Sequence, residues 1–435
     1  MMPSRSLRCA ILALLATACV SVAPQPGARR TIDIAAEQYV RLALQIDVLE
    51  VGYVDAYFGP VEWRAEAQAA GPRSVAELQS AADHTIELAT GVAAHDRDET
   101  SRRRARALLA ATRSARFRLA MIGGARAPFL EEAERLFAMR PALAPLASYE
   151  PALARIEMLL PGDGPLEQRA EAFRAAFTIA PGRLQAVMDR AIAECRARTR
   201  ARYDLPSDES FRMNFVTNKS WSAYNYYQGD HQSLIEVNTD LPITIDRALT
   251  LACHEGYPGH HVQGLYNERN YRERGWIEYS VAPLYHPASP MNEGGGNFGV
   301  ELAFPGDERV VFERDVLYPL ADLDPARAQE YADFQATLAE LSSARLTISA
   351  QYLDGEIDRE RAIDLAQRYL LVSRGRAAQL IDFTDRYRAY VINYVSGEAL
   401  ISAYVDRVAG TDPQARWSAF ERIMAEPTLP EDLMP

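Results

Sequence analysis

One short run of residues constrains this chain more than any other feature. The chain has 435 residues and seven histidines, and three of those histidines lie within 251–261, together with Glu255, Pro258 and Gly259. In the short helical zinc motif, two histidines one turn apart share a metal, and the glutamate beside the first histidine accepts a proton from water. The run therefore predicts a metal site with Glu255 as an adjacent general base.

The spacing in this run is longer than in the short zinc motif. On a regular helix His260 points about 120° away from His254, and His261 lies about 10 Å further along the axis. Pro258 disrupts a regular helix and Gly259 allows a bend, so a bulge at this pair would return His260 to the position of an ordinary i+4 ligand. We predict His254 and His260 as the ligands, with His261 as the alternative to His260.

A catalytic zinc needs a third protein ligand and leaves its fourth position to water. Glu293 is the first choice, because the glycine run that follows it favours a close approach of the backbone to a site. Glu301 and His286 are the alternatives. The sequence therefore predicts one zinc ion bound by His254, His260 and Glu293.

The wider pattern predicts a mainly α fold with a small β-sheet. Apolar residues recur at helical spacing over 31–202, over 243–270 and over 309–424. The segment 233–238 predicts a strand, and 275–306 is rich in proline and glycine and predicts a loop.

The N terminus predicts export from a bacterium. A positively charged start is followed by a short apolar run at 9–18 that ends in small residues, which is typical of a signal peptide over 1–18. Cys19 stands where a lipoprotein carries its lipid anchor, and 19–32 reads as a tether. Two outcomes remain open, a soluble periplasmic protein and a membrane-anchored lipoprotein.

The composition limits which partners and which disulfide bonds are expected. The net charge is -12 and the arginines are scattered, so no nucleic-acid partner is expected. Only Cys195 and Cys253 remain after residue 19, and too few cysteines are left for a disulfide framework. We predict two buried free thiols, with a single bridge between them as the alternative.

Four segments resemble one known family. The run 254–263 resembles the H-E-x-x-P-G-H-H-x-Q signature of the domain of unknown function 885 family, and 235–239, 292–294 and 394–397 resemble its strand, its E-G segment and its Y-x-x-G motif. The resemblance covers 203–435 and implies a zincin-like metallopeptidase region there, with Glu293 as the third ligand. The preceding residues 33–202 would form a helical N-terminal region.

These observations predict a zinc-dependent hydrolase, and a peptidase in particular. Glu255 would take a proton from water that the metal has acidified, and the hydroxyl of Tyr394 would stabilise the anionic intermediate, with His261 as the second candidate for that role. The strand 233–238 could pair with an extended peptide substrate. Arg388 could bind a substrate carboxylate or form a salt bridge.

Two other functions fit the same residues. The chain could hydrolyse a non-peptide amide or ester, which needs the same catalytic groups. It could also be a non-catalytic lipoprotein that keeps a metal for structure or binding. Glu255 argues against this last function, because a structural metal site needs no base beside its ligand.

Overall fold

Helices make up most of the structure, with two small sheets among them, which confirms the predicted mainly α class. The computed structural model describes residues 30–219 and 221–435. The predicted signal peptide and Cys19 lie outside the described residues, and the first helix begins at Thr31, inside the predicted tether. No helix in the two described ranges combines the length and the apolarity that a bilayer crossing requires.

The first part of the chain is helical, as predicted, apart from one short strand. Its helices are α1 (Thr31–Leu49), α2 (Val61–Ala70), α3 (Val75–His95), α4 (Glu99–Ile122), α5 (Phe129–Phe137), α6 (Glu150–Leu159), α7 (Leu166–Ala175) and α8 (Pro181–Arg200). The strands among the described residues are β1 (Val54–Tyr57), β2 (Ser210–Val216), β3 (Ala223–Gly229), β4 (Gln232–Asn238) and β5 (Val281–Pro283).

The second part alternates short and medium helices. They are α9 (Ile245–Leu251), α10 (His260–Arg272), α11 (Ser289–Ala303), α12 (Glu308–Phe312), α13 (Tyr318–Ala321), α14 (Ala328–Ala339), α15 (Ala344–Leu353), α16 (Arg359–Leu370), α17 (Arg374–Tyr387), α18 (Ile392–Ala409), α19 (Pro413–Ala425) and α20 (Pro430–Leu433). Side-chain caps define several starts, because an oxygen at the N-cap satisfies a free backbone N–H. Asp358 caps α16 in this way, and Asp412 caps α19.

The larger sheet has the order β2-β4-β3, with β2 parallel and β3 antiparallel to the central strand β4. The strand predicted at 233–238 is confirmed as β4. Its predicted pairing with a substrate peptide is wrong, because β2 and β3 already occupy both of its edges. The smaller sheet joins β1 to β5 in antiparallel register.

The segment 275–306 is not the loop that its glycines and prolines predict, because it contains the helix α11. Glycine is a poor helix former on its own, so local propensity argues against this helix. Packing explains its presence. A Cβ added to Gly294 would lie 2.2 Å from the carbonyl carbon of Gly397 in α18, so the two helices approach this closely only where both residues are glycine.

Two hydrophobic cores hold the helices together. The smaller core takes most of its side chains from α1–α5 and adds β5 and the turn at 389–392. The larger core begins at Tyr149 and combines α6–α8 with the rest of the chain. Within the first part of the chain, the change from the smaller to the larger core falls between Met139 and Tyr149, before α6.

A disulfide bond joins α8 to the segment that carries the predicted metal ligands. Cys195 and Cys253 are both fully buried, and their sulfur atoms are bonded at 2.17 Å. The prediction of two free thiols is wrong. Nothing in the local sequence of either cysteine indicates the pairing, because it depends on α8 packing against a segment 58 residues later.

Candidate metal centre

The metal-ligand segment is two helices with a break between them. The helix α9 continues into a π-helical turn at Ala252–Gly256, Tyr257 is extended, and α10 begins at His260. The sequence predicts a bulge within one helix, whereas the chain ends one helix and starts another. Gly259 is required at the break, since a Cβ there would lie 1.9 Å from the carbonyl oxygen of His254.

The break brings His254 and His260 together as predicted. Their ring centroids are 4.7 Å apart and the rings are nearly perpendicular. Glu293 from α11 is the third member: its Oε2 lies 3.6 Å from Nε2 of His254 and 3.8 Å from Nε2 of His260. We call these three residues the triad.

The geometry of the triad suits a metal ion. Metal bonds of about 2.0–2.2 Å at tetrahedral angles place ligand atoms about 3.3–3.6 Å apart. One ligand atom from each triad residue lies within 4.8 Å of the other two, and two imidazoles with a carboxylate are a common donor set for zinc. The residues present therefore fit the predicted zinc.

The alternative ligands lie elsewhere. Glu301 forms an ion pair with Arg416 at 3.0 Å. Nδ1 of His286 accepts a hydrogen bond from the backbone of Ala288 at 2.9 Å, and burial lowers the pKa of that imidazole to about 4. His261 is fully buried and is described below. None of the three belongs to the group around Glu293.

Two further residues form hydrogen bonds that orient ligands of the triad. Oδ1 of Asn297 lies 3.0 Å from Nδ1 of His254, which leaves Nε2 facing the centre, and the amide nitrogen of Asn297 donates to the backbone oxygen of Tyr394. The hydroxyl of Tyr390 donates to Oε1 of Glu293 at 2.7 Å. Such partners fix the tautomer and the direction of metal ligands.

Two members of the triad, Glu293 and His260, have strongly shifted pKa values. Burial alone would raise the pKa of Glu293, but hydrogen bonding and charge from His254 and His260 hold that pKa well below its usual value. Burial alone would lower the pKa of His260, but Glu293 raises it to about 9. The site is thus built to hold negative charge on the carboxylate.

Glu255 is placed beside the triad, as the motif predicts. It is 6% exposed, and its backbone oxygen accepts a hydrogen bond at 2.6 Å from the side chain of Asn225 in β3. Its negative charge raises the pKa of both His260 and Tyr394. The carboxylate therefore lies within electrostatic range of the ligands and of the candidate oxyanion donor.

Tyr394 lies in α18, half-buried near the triad. Burial raises the pKa of its phenol well above the usual value, and the charge of Glu293 raises it further. The hydroxyl therefore keeps its proton at neutral pH and can act as a hydrogen-bond donor. Its ring centroid lies 6.0 Å from that of Tyr390.

His261 belongs to a separate buried network. Its Nδ1 lies 2.8 Å from Oγ of Ser233, and its Nε2 lies 3.1 Å from Oε2 of Glu209. Glu209 also accepts hydrogen bonds from Tyr257 and from Arg196. Both ring nitrogens of His261 are engaged, so the geometry gives no support to its role as an oxyanion donor.

Arg388 does not reach the centre either. Its guanidinium donates to Glu132 at 2.7 Å, and that carboxylate is fully buried. The salt-bridge alternative is therefore the one that the structure supports.

Asp55 is a residue near the triad that the sequence does not reveal. It lies in β1, and burial, followed by the charge of Glu293, raises its pKa to about 7 even though a hydrogen bond from Tyr224 lowers it. The strand β1 reaches this position by pairing with β5, which precedes α11. No local pattern marks Asp55, because its neighbours at the site come from distant parts of the chain.

A surface groove of about 690 Å³ lies away from the triad. It runs between α8 and β2, and its walls include Gln185, Arg196 and Met213. The triad does not line it, so we place the chemistry at the triad, where the ligand geometry and the perturbed groups coincide.

No protein-family model and no curated protein sequence matches this chain. Solved structures do resemble it. A candidate lipoprotein from Colwellia psychrerythraea superposes with a TM-score of 0.50 and 13% identity, over 93% of this chain and 74% of that chain. At this identity, the likeness shows a shared fold and nothing about activity.

Two other solved structures overlap more loosely. A candidate lipoprotein of unknown function from Shewanella oneidensis gives a TM-score of 0.43 and 11% identity, over 90% of this chain and 82% of that chain. The M32 carboxypeptidase from Deinococcus radiodurans R1 gives a TM-score of 0.41 and 14% sequence identity, over 93% of each chain.

Proposed function

We propose that this protein is a zinc-dependent hydrolase that cleaves peptide bonds. The observation that carries the proposal is the convergence of His254, His260 and Glu293, with Glu255 next to the first ligand. Three protein ligands leave one tetrahedral position open, which is typical of a catalytic site, whereas a structural site is closed by four.

The residues at the triad have separate roles in the proposed reaction. A zinc ion at the triad would polarise a substrate carbonyl and acidify water. Glu255 accepts a proton from the attacking water and delivers it to the leaving nitrogen. The hydroxyl of Tyr394 donates to the oxygen that becomes negative during attack. Asn297 and Tyr390 hold two of the ligands in place.

The choice of a peptide substrate rests on the resemblance of 254–263 to the signature of the domain of unknown function 885 family, and we propose that the chain belongs with it. Hydrolysis of a non-peptide amide or ester would use the same groups. A non-catalytic role is disfavoured, because Glu255 would then have no function beside its neighbouring ligand.

We also propose that the protein is exported, with 1–18 as its signal peptide. The disulfide between Cys195 and Cys253 supports this proposal, because disulfides persist in oxidising compartments such as the bacterial periplasm. Attachment through a lipid on Cys19 is part of the same proposal.

The test combines metal analysis with hydrolysis of a peptide library by the wild type and by Glu255→Gln. We expect one zinc per chain in both proteins, and turnover reduced about a hundredfold to ten-thousandfold in the variant, because only proton transfer is lost. Glu301→Gln is the matched control, since Glu301 lies on α11 but faces Arg416. Equal turnover in wild type and Glu255→Gln, or a wild type without zinc, would refute the proposal.

A further inference from the structure

Gln263 closes the histidine run 254–263 and has no part in the proposed reaction. It lies in the first turn of α10, where its backbone N–H donates to the oxygen of Gly259 at 3.0 Å. His260 is three residues earlier in the same helix, and side chains at that spacing are neighbours, with Cβ atoms about 5–6 Å apart. The half-buried side chain of Gln263 is therefore next to a proposed metal ligand.

The nitrogen end of the Gln263 carboxamide binds the neighbouring ligand helix. Nε2 of Gln263 donates to Oδ1 of Asn292, which is the residue before Glu293 in α11. The helix α10 carries His260, and α11 carries Glu293. This hydrogen bond therefore joins the two helices that hold these ligands, one residue away from Glu293.

The oxygen end of the same carboxamide faces His260. Burial lowers the pKa of His260, whereas Glu293 and a hydrogen bond with the side chain of Gln263 raise it. A hydrogen bond raises the pKa of a histidine when its partner accepts from the protonated ring, so the carboxamide oxygen is the acceptor. Nε2 of His260 is directed at Oε2 of Glu293, 3.8 Å away, which leaves Nδ1 as the donor to Gln263.

The other histidine ligand is held in the same way. Oδ1 of Asn297 lies 3.0 Å from Nδ1 of His254, and its amide nitrogen donates to the backbone oxygen of Tyr394 in α18 at 3.3 Å. In both cases one carboxamide accepts from an imidazole and donates to a neighbouring helix. A carboxamide can do both because it has a carbonyl oxygen and an NH2 group, whereas an ionised carboxylate only accepts.

We propose that Gln263 is a positioning residue of the metal centre, which binds the Nδ1 proton of His260 and fixes that ring relative to Glu293 through Asn292. The first contact keeps Nε2 of His260 free for the metal, because a neutral imidazole carries one proton. The second contact limits the movement of α10 relative to α11. The inference rests on the metal site of the proposed function and does not depend on which bond is hydrolysed.

The test measures zinc affinity, by competition with a chelator, in the wild type, Gln263→Met and Gln263→Glu. Methionine keeps the length of the side chain and removes both hydrogen bonds, so affinity should fall about tenfold to a hundredfold. Glutamate still accepts from Nδ1 of His260, and Asn292 can turn its amide to donate to the second carboxylate oxygen. Gln263→Glu should therefore bind zinc at least as tightly as the wild type, because a charged acceptor forms the stronger hydrogen bond.

A second glutamine separates positioning from general stability. Gln45 in α1 is also half-buried, and its Nε2 donates to the backbone oxygen of Ala67 in α2 at 3.4 Å. Gln45→Met therefore removes a hydrogen bond between two helices that carry no metal ligand, and it should leave zinc affinity unchanged. Urea unfolding of the metal-free proteins should show Gln263→Met to be about as stable as Gln45→Met.

A double-mutant cycle tests the link to α11. Asn292→Ala removes the acceptor for Gln263 and leaves the contact with His260, so it should weaken zinc binding less than Gln263→Met does. The double variant Gln263→Met/Asn292→Ala should bind zinc as well as Gln263→Met alone, because Asn292 acts through Gln263. Additive losses would overturn the link between the two helices.

The outcomes keep this inference apart from the proposed function. Wild-type zinc affinity in Gln263→Met, or equally weak binding by Gln263→Met and Gln263→Glu, overturns the positioning role even if the wild type hydrolyses peptides. A loss of affinity in Gln263→Met that Gln263→Glu restores supports the role. If the wild type then binds zinc and cleaves no peptide, only the peptidase function is refuted.

Discussion

Tyr390 and Tyr394 lie one helical turn apart and have different relations to the triad. Tyr390 donates a hydrogen bond to Glu293. Burial and the charges of Glu293 and Glu255 instead raise the pKa of the Tyr394 phenol. The first residue therefore positions a ligand, and the second is the residue that we propose as the donor to the oxyanion. Their roles can be separated because each Tyr→Phe substitution removes a single hydroxyl.

We expect Tyr390→Phe to weaken zinc binding about tenfold to a hundredfold, because an orienting partner of a ligand is lost. We expect Tyr394→Phe to bind zinc normally and to lose about a hundredfold to a thousandfold in kcat, because a donor to the oxyanion is lost. Zinc competition with a chelator and steady-state kinetics measure the two effects. A Tyr394→Phe variant with an altered KM and an unchanged kcat would contradict the assignment.

The lowered pKa of Glu209 predicts that the protein loses stability in acid. Burial raises its pKa, but hydrogen bonds from His261, Tyr257 and Arg196 outweigh burial and lower it from the ordinary 4.5 to about 2. Because the folded value is the lower one, this contribution is present above pH 4.5 and is lost as the pH falls towards 2.

Urea unfolding between pH 7 and pH 3 tests this point. Glu209→Gln should be less stable by about 3–5 kcal/mol at pH 7, because it leaves buried partners without their charge. It should also lose part of the acid dependence of the wild type. Asp208→Asn is the control, since Asp208 is exposed and pairs only with His231. An unaltered acid dependence in Glu209→Gln would exclude Glu209 as its source.

At the scale of the helices, two close glycine contacts position the helices that carry the ligands, and substitution can test both contacts. A Cβ at Gly259 would lie 1.9 Å from a backbone oxygen, and one at Gly294 would lie 2.2 Å from the backbone of α18. Gly91, on the surface of α3, meets nothing within 4 Å.

We therefore expect Gly259→Ala and Gly294→Ala to lower the free energy of unfolding by several kcal/mol and to weaken zinc binding, since each displaces a ligand helix. Gly91→Ala should instead raise the free energy of unfolding by about 0.4–1 kcal/mol. Thermal unfolding of the three variants measures the effect. Two destabilised variants with unimpaired zinc affinity would show that the glycines support the fold and not the site.

The sequence predicts the elements that are stabilised by their own local residues. The strand β4 carries the strand-favouring residues Leu234, Ile235 and Val237, and Asp358 places an N-cap where a helix begins. The triad could be predicted because the proline and glycine between the histidines demand a break. The helix α11 could not, because its glycines are stabilised only by contact with α18. Asp55 and Tyr390 have no local signal either, since their neighbours at the site are remote in sequence.

At the scale of the whole molecule, the disulfide links α8 to the segment that carries the ligands. It closes a loop between residues 58 apart, and a loop of that length predicts a stabilisation of about 4 kcal/mol by restricting the unfolded chain. The double variant Cys195→Ala/Cys253→Ala should lose about 2–4 kcal/mol. Dithiothreitol should destabilise the wild type and leave the double variant unaffected, and urea unfolding with and without reductant measures both. A wild type indifferent to reductant would contradict the prediction.

The contribution of β1 has a practical consequence for anyone working with shortened forms of this protein. Asp55 comes from this strand, and the turn that carries Tyr390 packs in the same core as α1–α5. A recombinant fragment that starts near Tyr203 would keep every residue of the histidine motif and would still lack Asp55 and the helices that pack beneath Tyr390. Recognising the motif in a truncated gene is therefore insufficient grounds for expecting a working catalyst.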